Sequence, residues 1–129
     1  MYVFVYGILM RHASEGALLP GHRLRFAGFA TVEATGSDHD LVRGGLVEVD
    51  DRLLAEFDRI EGYPRYYGRK KVYVRTLDGR TVRAWVYQMN AEHVAARRVS
   101  EWFPDSMWLD MTEQYDRLGH PGPREIVHR

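Results

Sequence analysis

Cysteine is absent from the 129-residue chain, which removes disulfides, thiolate nucleophiles and cysteine-based zinc sites together. The absence suits a reducing compartment, so a cytoplasmic location is expected. No apolar run approaches the roughly 20 residues that cross a bilayer, so no membrane partner is expected. The apolar opening Met1-Tyr2-Val3-Phe4-Val5-Tyr6 is too short for a signal segment and carries no basic flank. An excess of one charge is missing too: Lys plus Arg and Asp plus Glu both number 18. General polyanion binders carry surplus positive charge, so nucleic acid is not the expected partner. The six histidines show no H-E-x-x-H spacing, which argues against a metal site. No serine sits in G-x-S-x-G, and neither G-x-G-x-x-G nor a P-loop is present.

What remains is the composition of an ordinary globular domain, 45% hydrophobic and 28% charged. Residues 2–6 are β-branched or aromatic and stop at Gly7, as a buried first strand does. Residues 10–21 read as a connection broken by Gly16, Pro20 and Gly21. Residues 24–33 read as one strand bent at Gly28, and 41–49 as another. Asp50 and Asp51 cap an expected helix over 52–60, which Gly62 and Pro64 stop. Two strands, 71–77 and 81–89, flank Asp78-Gly79, a strong hairpin signal. Asn90 caps an expected helix over 91–103, interrupted by Pro104, and a last helix is expected over 110–118. Residues 1–119 are expected to form a single domain, with 120–129 an irregular tail. Helices do not alternate with every strand, so a doubly wound parallel sheet is disfavoured. The expected class is α+β: a small mixed, mainly antiparallel β-barrel-like sheet with a few flanking helices.

Three features could carry chemistry. On a helical wheel at about 100° per residue, Leu54, Phe57, Ile60 and Leu53 form an apolar arc. Glu61 falls inside that arc, whereas Glu56 and Arg59 lie opposite. A carboxyl held there loses solvation and sits at the negative end of the helix dipole; both raise its pKa toward the range of a general acid/base. The alternative is a frayed helix end with Glu61 turned to water, and the pattern alone leaves both open. Gly7, directly after a strand, brings the backbone of Tyr6-Gly7-Ile8-Leu9 close to a ligand and frees N–H groups for an anion; a plain strand-ending turn would look the same. Residues 63–71 mix tyrosines with Arg and Lys; they read as base-stacking and phosphate-binding groups or as a loop packing its rings on the sheet.

Two of these segments together resemble a family. Tyr6-Gly7-Ile8-Leu9 resembles the Y-G-[ST]-L loop of the gamma-glutamylcyclotransferase-like superfamily. Phe57-Asp58-Arg59-Ile60-Glu61-Gly62-Tyr63-Pro64 is similar to its L-D-x-x-E-G-Y signature. Tyr67-x-Arg69 resembles the following Y-x-R, and residues 42–49 resemble the V-x-G-E-L-Y-x-V strand. The resemblance implies a cofactor-independent enzyme with a small-molecule γ-glutamyl substrate, Glu61 as general acid/base, and 5-oxoproline as product. It further implies substrate binding by Tyr6, Gly7, Ile8, Leu9, Tyr67 and Arg69, with no metal. Ile8 stands where the family has Ser or Thr, and Gly45 and Val47 where it has Glu and Tyr. Those departures keep open a catalytically inactive, small-ligand-binding relative of the same fold.

Overall fold

The computed structural model describes residues 1–121; most of the expected tail lies outside the described residues. Strand β1 (Tyr2–Val5) leads into a 3₁₀ turn (Ile8–His12), and β2 (Glu15–Pro20), β3 (His22–Phe26), β4 (Ala30–Ala34) and β5 (Leu41–Glu48) follow. Helix α1 (Asp51–Glu61) comes next, then β6 (Tyr67–Thr76), β7 (Thr81–Met89), α2 (Ala91–Ala95) and α3 (Asp105–Arg117). Five strands close a barrel in the order β1-β5-β2-β6-β7, and β3-β4 form a separate two-stranded sheet. All barrel pairings are antiparallel except β1 with β7. The expected α+β, mainly antiparallel barrel with flanking helices is what the chain forms.

Alternation along the strands sorts the core into two parts. Phe4, Leu46, Val74 and Val86 belong to one cluster, with Ala17, Leu19 and Val42. Val3, Val5, Val47 and Met89 belong to the other, where Phe57 of α1 and Met111 and Tyr115 of α3 meet them. Close approach in β5 requires glycine at two adjacent positions. A Cβ at Gly44 would lie 2.3 Å from the Val5 carbonyl oxygen, and one at Gly45 would lie 2.5 Å from the Ala13 Cβ. The room that a side chain at 45 would fill is taken by Ala13 and Leu118.

Four expectations change. The expected connection over 10–21 contains the 3₁₀ turn's end and β2, which pairs with both β5 and β6. Its Gly16-Ala17 core lacks the bulky residues that advertise a strand, yet a Cβ at Gly16 would already lie 2.7 Å from the Leu118 carbonyl oxygen. The single bent strand over 24–33 is a hairpin: Phe26 faces Ala30 across a turn in which Gly28 takes φ 79°. The long helix over 91–103 stops at Ala95. Beyond it, Ser100 exchanges hydrogen bonds with Phe26 (2.8 and 2.9 Å), holding that stretch extended against β3. The last helix begins earlier than expected, at Asp105 directly after Pro104, whose ring disfavours a helical residue before it.

Candidate functional site

Helix α1 is built to end at Glu61. The Asp50 carboxylate accepts from the Leu53 N–H at 2.8 Å and starts the helix. Gly62 stops it in the left-handed region (φ 68°), where its own N–H reaches the Arg59 carbonyl at 3.2 Å and the Tyr63 N–H reaches that of Asp58 at 2.8 Å. Between these limits Leu54 and Phe57 are buried, whereas Ile60 is exposed. Glu61, the last helical residue, is half-buried.

The helix end opens onto a cavity of about 950 Å³. Tyr6, Gly7, Ile8 and Leu9 line one side, and Glu61 and Tyr67 face the same space. The structure therefore brings together Glu61 and five of the six residues singled out with it. Arg69 is not among those lining residues. Its guanidinium is committed elsewhere: Nε and Nη2 donate to the Asp58 carboxylate at 2.8 and 3.1 Å. It also lies between the rings of Tyr63 (4.5 Å) and Trp85 (4.3 Å). The aromatic-basic segment thus packs on α1 and β7, with Lys71 also set over Trp85 at 4.6 Å.

Among the described residues the Glu61 carboxyl makes no hydrogen bond or ion pair, and burial pushes its pKa up to about 7. The phenols around it stay neutral. The Tyr6 hydroxyl donates to the Tyr87 carbonyl (2.7 Å) and that of Tyr67 to the Ala30 carbonyl (2.6 Å). Burial first, and the nearby Glu61 charge among further causes, raise both phenols. Asp58 differs from Glu61 although only three residues separate them. Burial would raise it, but hydrogen bonds from Arg69 and from the Tyr87 hydroxyl (2.6 Å) outweigh that and hold it below the usual carboxylate range. One carboxylate is a fixed anchor; the other is a titratable group in a half-dry space.

Across from Glu61, Ile8 and Leu9 open the 3₁₀ turn. Their N–H groups precede the first intrahelical bond, from the Met10 N–H to the Gly7 carbonyl at 2.9 Å. Such donors suit a carboxylate or an oxyanion. Reasoning from sequence missed Phe29, His93 and Arg97, which also line the cavity, as does Tyr66 of the 63–71 segment. Their only signal was an aromatic residue at Phe29 beside a turn glycine. Among the described residues no group of three or more His, Asp or Glu could hold a metal ion, and no helix is long and apolar enough to cross a membrane.

The sequence profile of the family described as "Gamma-glutamyl cyclotransferase, AIG2-like" matches residues 3–110. A segment of 44 residues, 34% of this chain, is 43% identical to the protein of Methanocaldococcus jannaschii named "Putative gamma-glutamylcyclotransferase MJ1514" and covers 37% of it. A segment of 46 residues, 36% of the chain, is 33% identical to a Drosophila melanogaster protein of the same descriptive name and covers 29% of it. These matches span 37% and 29% of the two relatives' lengths. A solved structure titled "Gamma-glutamyl cyclotransferase" superposes with a TM-score of 0.78 over 98% of this chain and 85% of its own, at 18% identity, a likeness of fold.

Proposed function

The chain belongs to the gamma-glutamyl cyclotransferase, AIG2-like family, and from that membership we propose that it cyclises the γ-glutamyl group of a small amide, giving 5-oxoproline and a free amine, with Glu61 as general acid/base. One observation carries the reading: a carboxyl without a partner among the described residues, raised to about 7 by burial, lines the same cavity as Gly7, Ile8 and Leu9, the residues at the start of the 3₁₀ turn. In this reaction the substrate's α-ammonium gives a proton to the Glu61 carboxylate, and the freed nitrogen attacks the γ-carbonyl carbon. The tetrahedral oxyanion collapses and the bond to the leaving nitrogen breaks as that nitrogen takes the first proton from Glu61; the ring nitrogen then gives its surplus proton, through the freed Glu61 carboxylate, to the departing amine, which leaves as an ammonium. A group titrating near neutrality serves both transfers. Main-chain N–H groups of Gly7, Ile8 and Leu9 hold the substrate α-carboxylate or the developing oxyanion. Attack within one molecule needs only a folded conformer, which Tyr6 and Tyr67 help to shape. Every step uses groups of the chain and the substrate, with no cofactor called for.

Ile8 favours a second reading, a binding protein of the same fold, because an isoleucine supplies no hydroxyl where the family has Ser or Thr. A panel of γ-glutamyl amides and peptides incubated with the protein and read by mass spectrometry separates the two. Release of 5-oxoproline from at least one compound is expected. Calorimetric binding without product over long incubation selects the binding protein instead.

A further inference from the structure

Four large apolar or aromatic residues that are strongly exposed, Ile8 (62%), Phe29 (61%), Ile60 (53%) and Tyr66 (49%), all line the one cavity beside Glu61. Scattered exposed side chains need no explanation, but a ring of them around a cavity mouth marks a surface that receives an apolar group. The volume of about 950 Å³ lies at the top of the range for small-molecule sites, roughly 300–1,000 Å³, and exceeds what a γ-glutamyl group alone occupies. Space therefore remains for a sizeable leaving group.

The wall around Phe29 also has a charge. Phe29 sits at the tip of the β3–β4 turn, where no core holds it. The Arg97 stem lies against that turn, since a Cβ on Gly28 would be 3.3 Å from the Arg97 Cδ. The Arg97 charge reaches the Tyr67 phenol, whose hydroxyl donates to Ala30 next to Phe29. The Tyr66 ring lies against that of His93, tilted by 46° with centroids 5.0 Å apart. Arg97 donates to the His93 carbonyl at 3.0 Å and has no carboxylate partner among the described residues. The lining acids, Glu61 and Asp110, come from α1 and α3; of the lining arginines, Arg59 pairs with Glu56 and Arg11 belongs to the 3₁₀ turn, whereas Arg97 is the one set against the turn that carries Phe29.

We propose that Phe29, Tyr66 and Arg97 form the leaving-group subsite and that the substrate is a γ-glutamyl dipeptide whose second residue is bulky and apolar. Its side chain lies on Phe29 and Tyr66, and its carboxylate pairs with Arg97. The inference rests on the cyclotransferase reading and adds to it which amine departs: a free apolar amino acid. A leaving group whose side chain ends in an ammonium, such as a lysine linked through its α-amine, is disfavoured by Arg97 relative to an apolar one.

The test compares kcat/KM for γ-glutamyl-phenylalanine, γ-glutamyl-leucine, γ-glutamyl-alanine, the α-linked γ-glutamyl-lysine, expected to fall below the leucine compound, and γ-glutamyl-phenethylamide, which keeps the ring but lacks the carboxylate. The phenylalanine and leucine compounds are expected to exceed the alanine one by about tenfold. Arg97→Ala is expected to lower the phenylalanine compound about tenfold more than the phenethylamide, and Phe29→Ala to reduce the preference for phenylalanine over alanine about fivefold. Both positions are exposed, and melting temperatures check that the variants fold. Equal turnover of the alanine and phenylalanine compounds, or equal losses in Arg97→Ala for dipeptide and phenethylamide, overturns the subsite and leaves the cyclotransferase reading in place. No product from any compound overturns both.

Discussion

At the scale of single residues, two carboxyl groups on one helical turn are driven in opposite directions. Asp58 is surrounded by donors and stays ionised, whereas Glu61 has no such donor among the described residues and is raised by burial to about 7. The consequence for stability follows from proton linkage. Between 4.5, the ordinary value, and about 7 the folded protein holds a proton on Glu61 that the unfolded chain has lost. Glu61's contribution is therefore complete below pH 4.5 and disappears as pH rises through 7. Glu61→Gln cannot ionise and escapes this loss. Urea denaturation should find the variant more stable than the parent by about 2 kcal/mol at pH 8, and nearly equal at pH 4.5, after allowance for water reaching the group. The same group gives kcat/KM an acid limb: activity should rise with pH through about 7. The helical wheel placed Glu61 within the apolar arc, but it also placed Ile60 there, and Ile60 is exposed at the cavity mouth. A wheel knows the angle of a side chain, not where the opposing surface ends.

At the scale of elements, α1 is tied to the barrel by Asp58. Its carboxylate receives two bonds from Arg69 on β6 and one from Tyr87 on β7, so the last turn of the helix, and Glu61 with it, is fixed relative to two strands. Both partners are mostly buried, with side chains 15% and 20% exposed. Removing one leaves the other's charge in a partly dry place, which costs about 3 kcal/mol. Asp58→Ala should lose that much stability in urea titrations, and kcat should fall with KM little changed, because Glu61 is displaced while the cavity remains. A rise in KM alone would return Arg69 to substrate binding, where the family resemblance had put it. Elements with strong local punctuation were legible beforehand: α1 between Asp50 and Gly62, and the β6–β7 hairpin around Asp78-Gly79. Strand β2 was not, because Gly16 is small to let the chain after α3 pack against it rather than for local preference. The short α2 was hidden likewise, since the Phe26–Ser100 pairing that ends the helical stretch joins residues far apart in sequence.

At the scale of the whole molecule, barrel closure positions the site. Parallel pairing of β1 with β7 and antiparallel pairing with β5 hold β1 in the barrel wall. The chain leaves that strand at Tyr6 and Gly7, on the cavity side that faces the end of α1. Sequence motifs indicated the two segments that meet there, Tyr6 to Leu9 and the turn around Glu61. They did not indicate the third, the β3–β4 turn with Phe29 and the Arg97 region, since these belong to a separate sheet and a loop joined only by long-range contacts. The proposed catalysis depends on the Glu61 carboxyl moving the proton in a cleft the rest of the fold has assembled. Its most direct test is the rate of 5-oxoproline release from the best γ-glutamyl compound by the parent protein and by Glu61→Gln, each confirmed folded by its melting transition. A loss of about 10³-fold with substrate affinity kept is the predicted result; turnover by the glutamine variant at the parent's rate would contradict it.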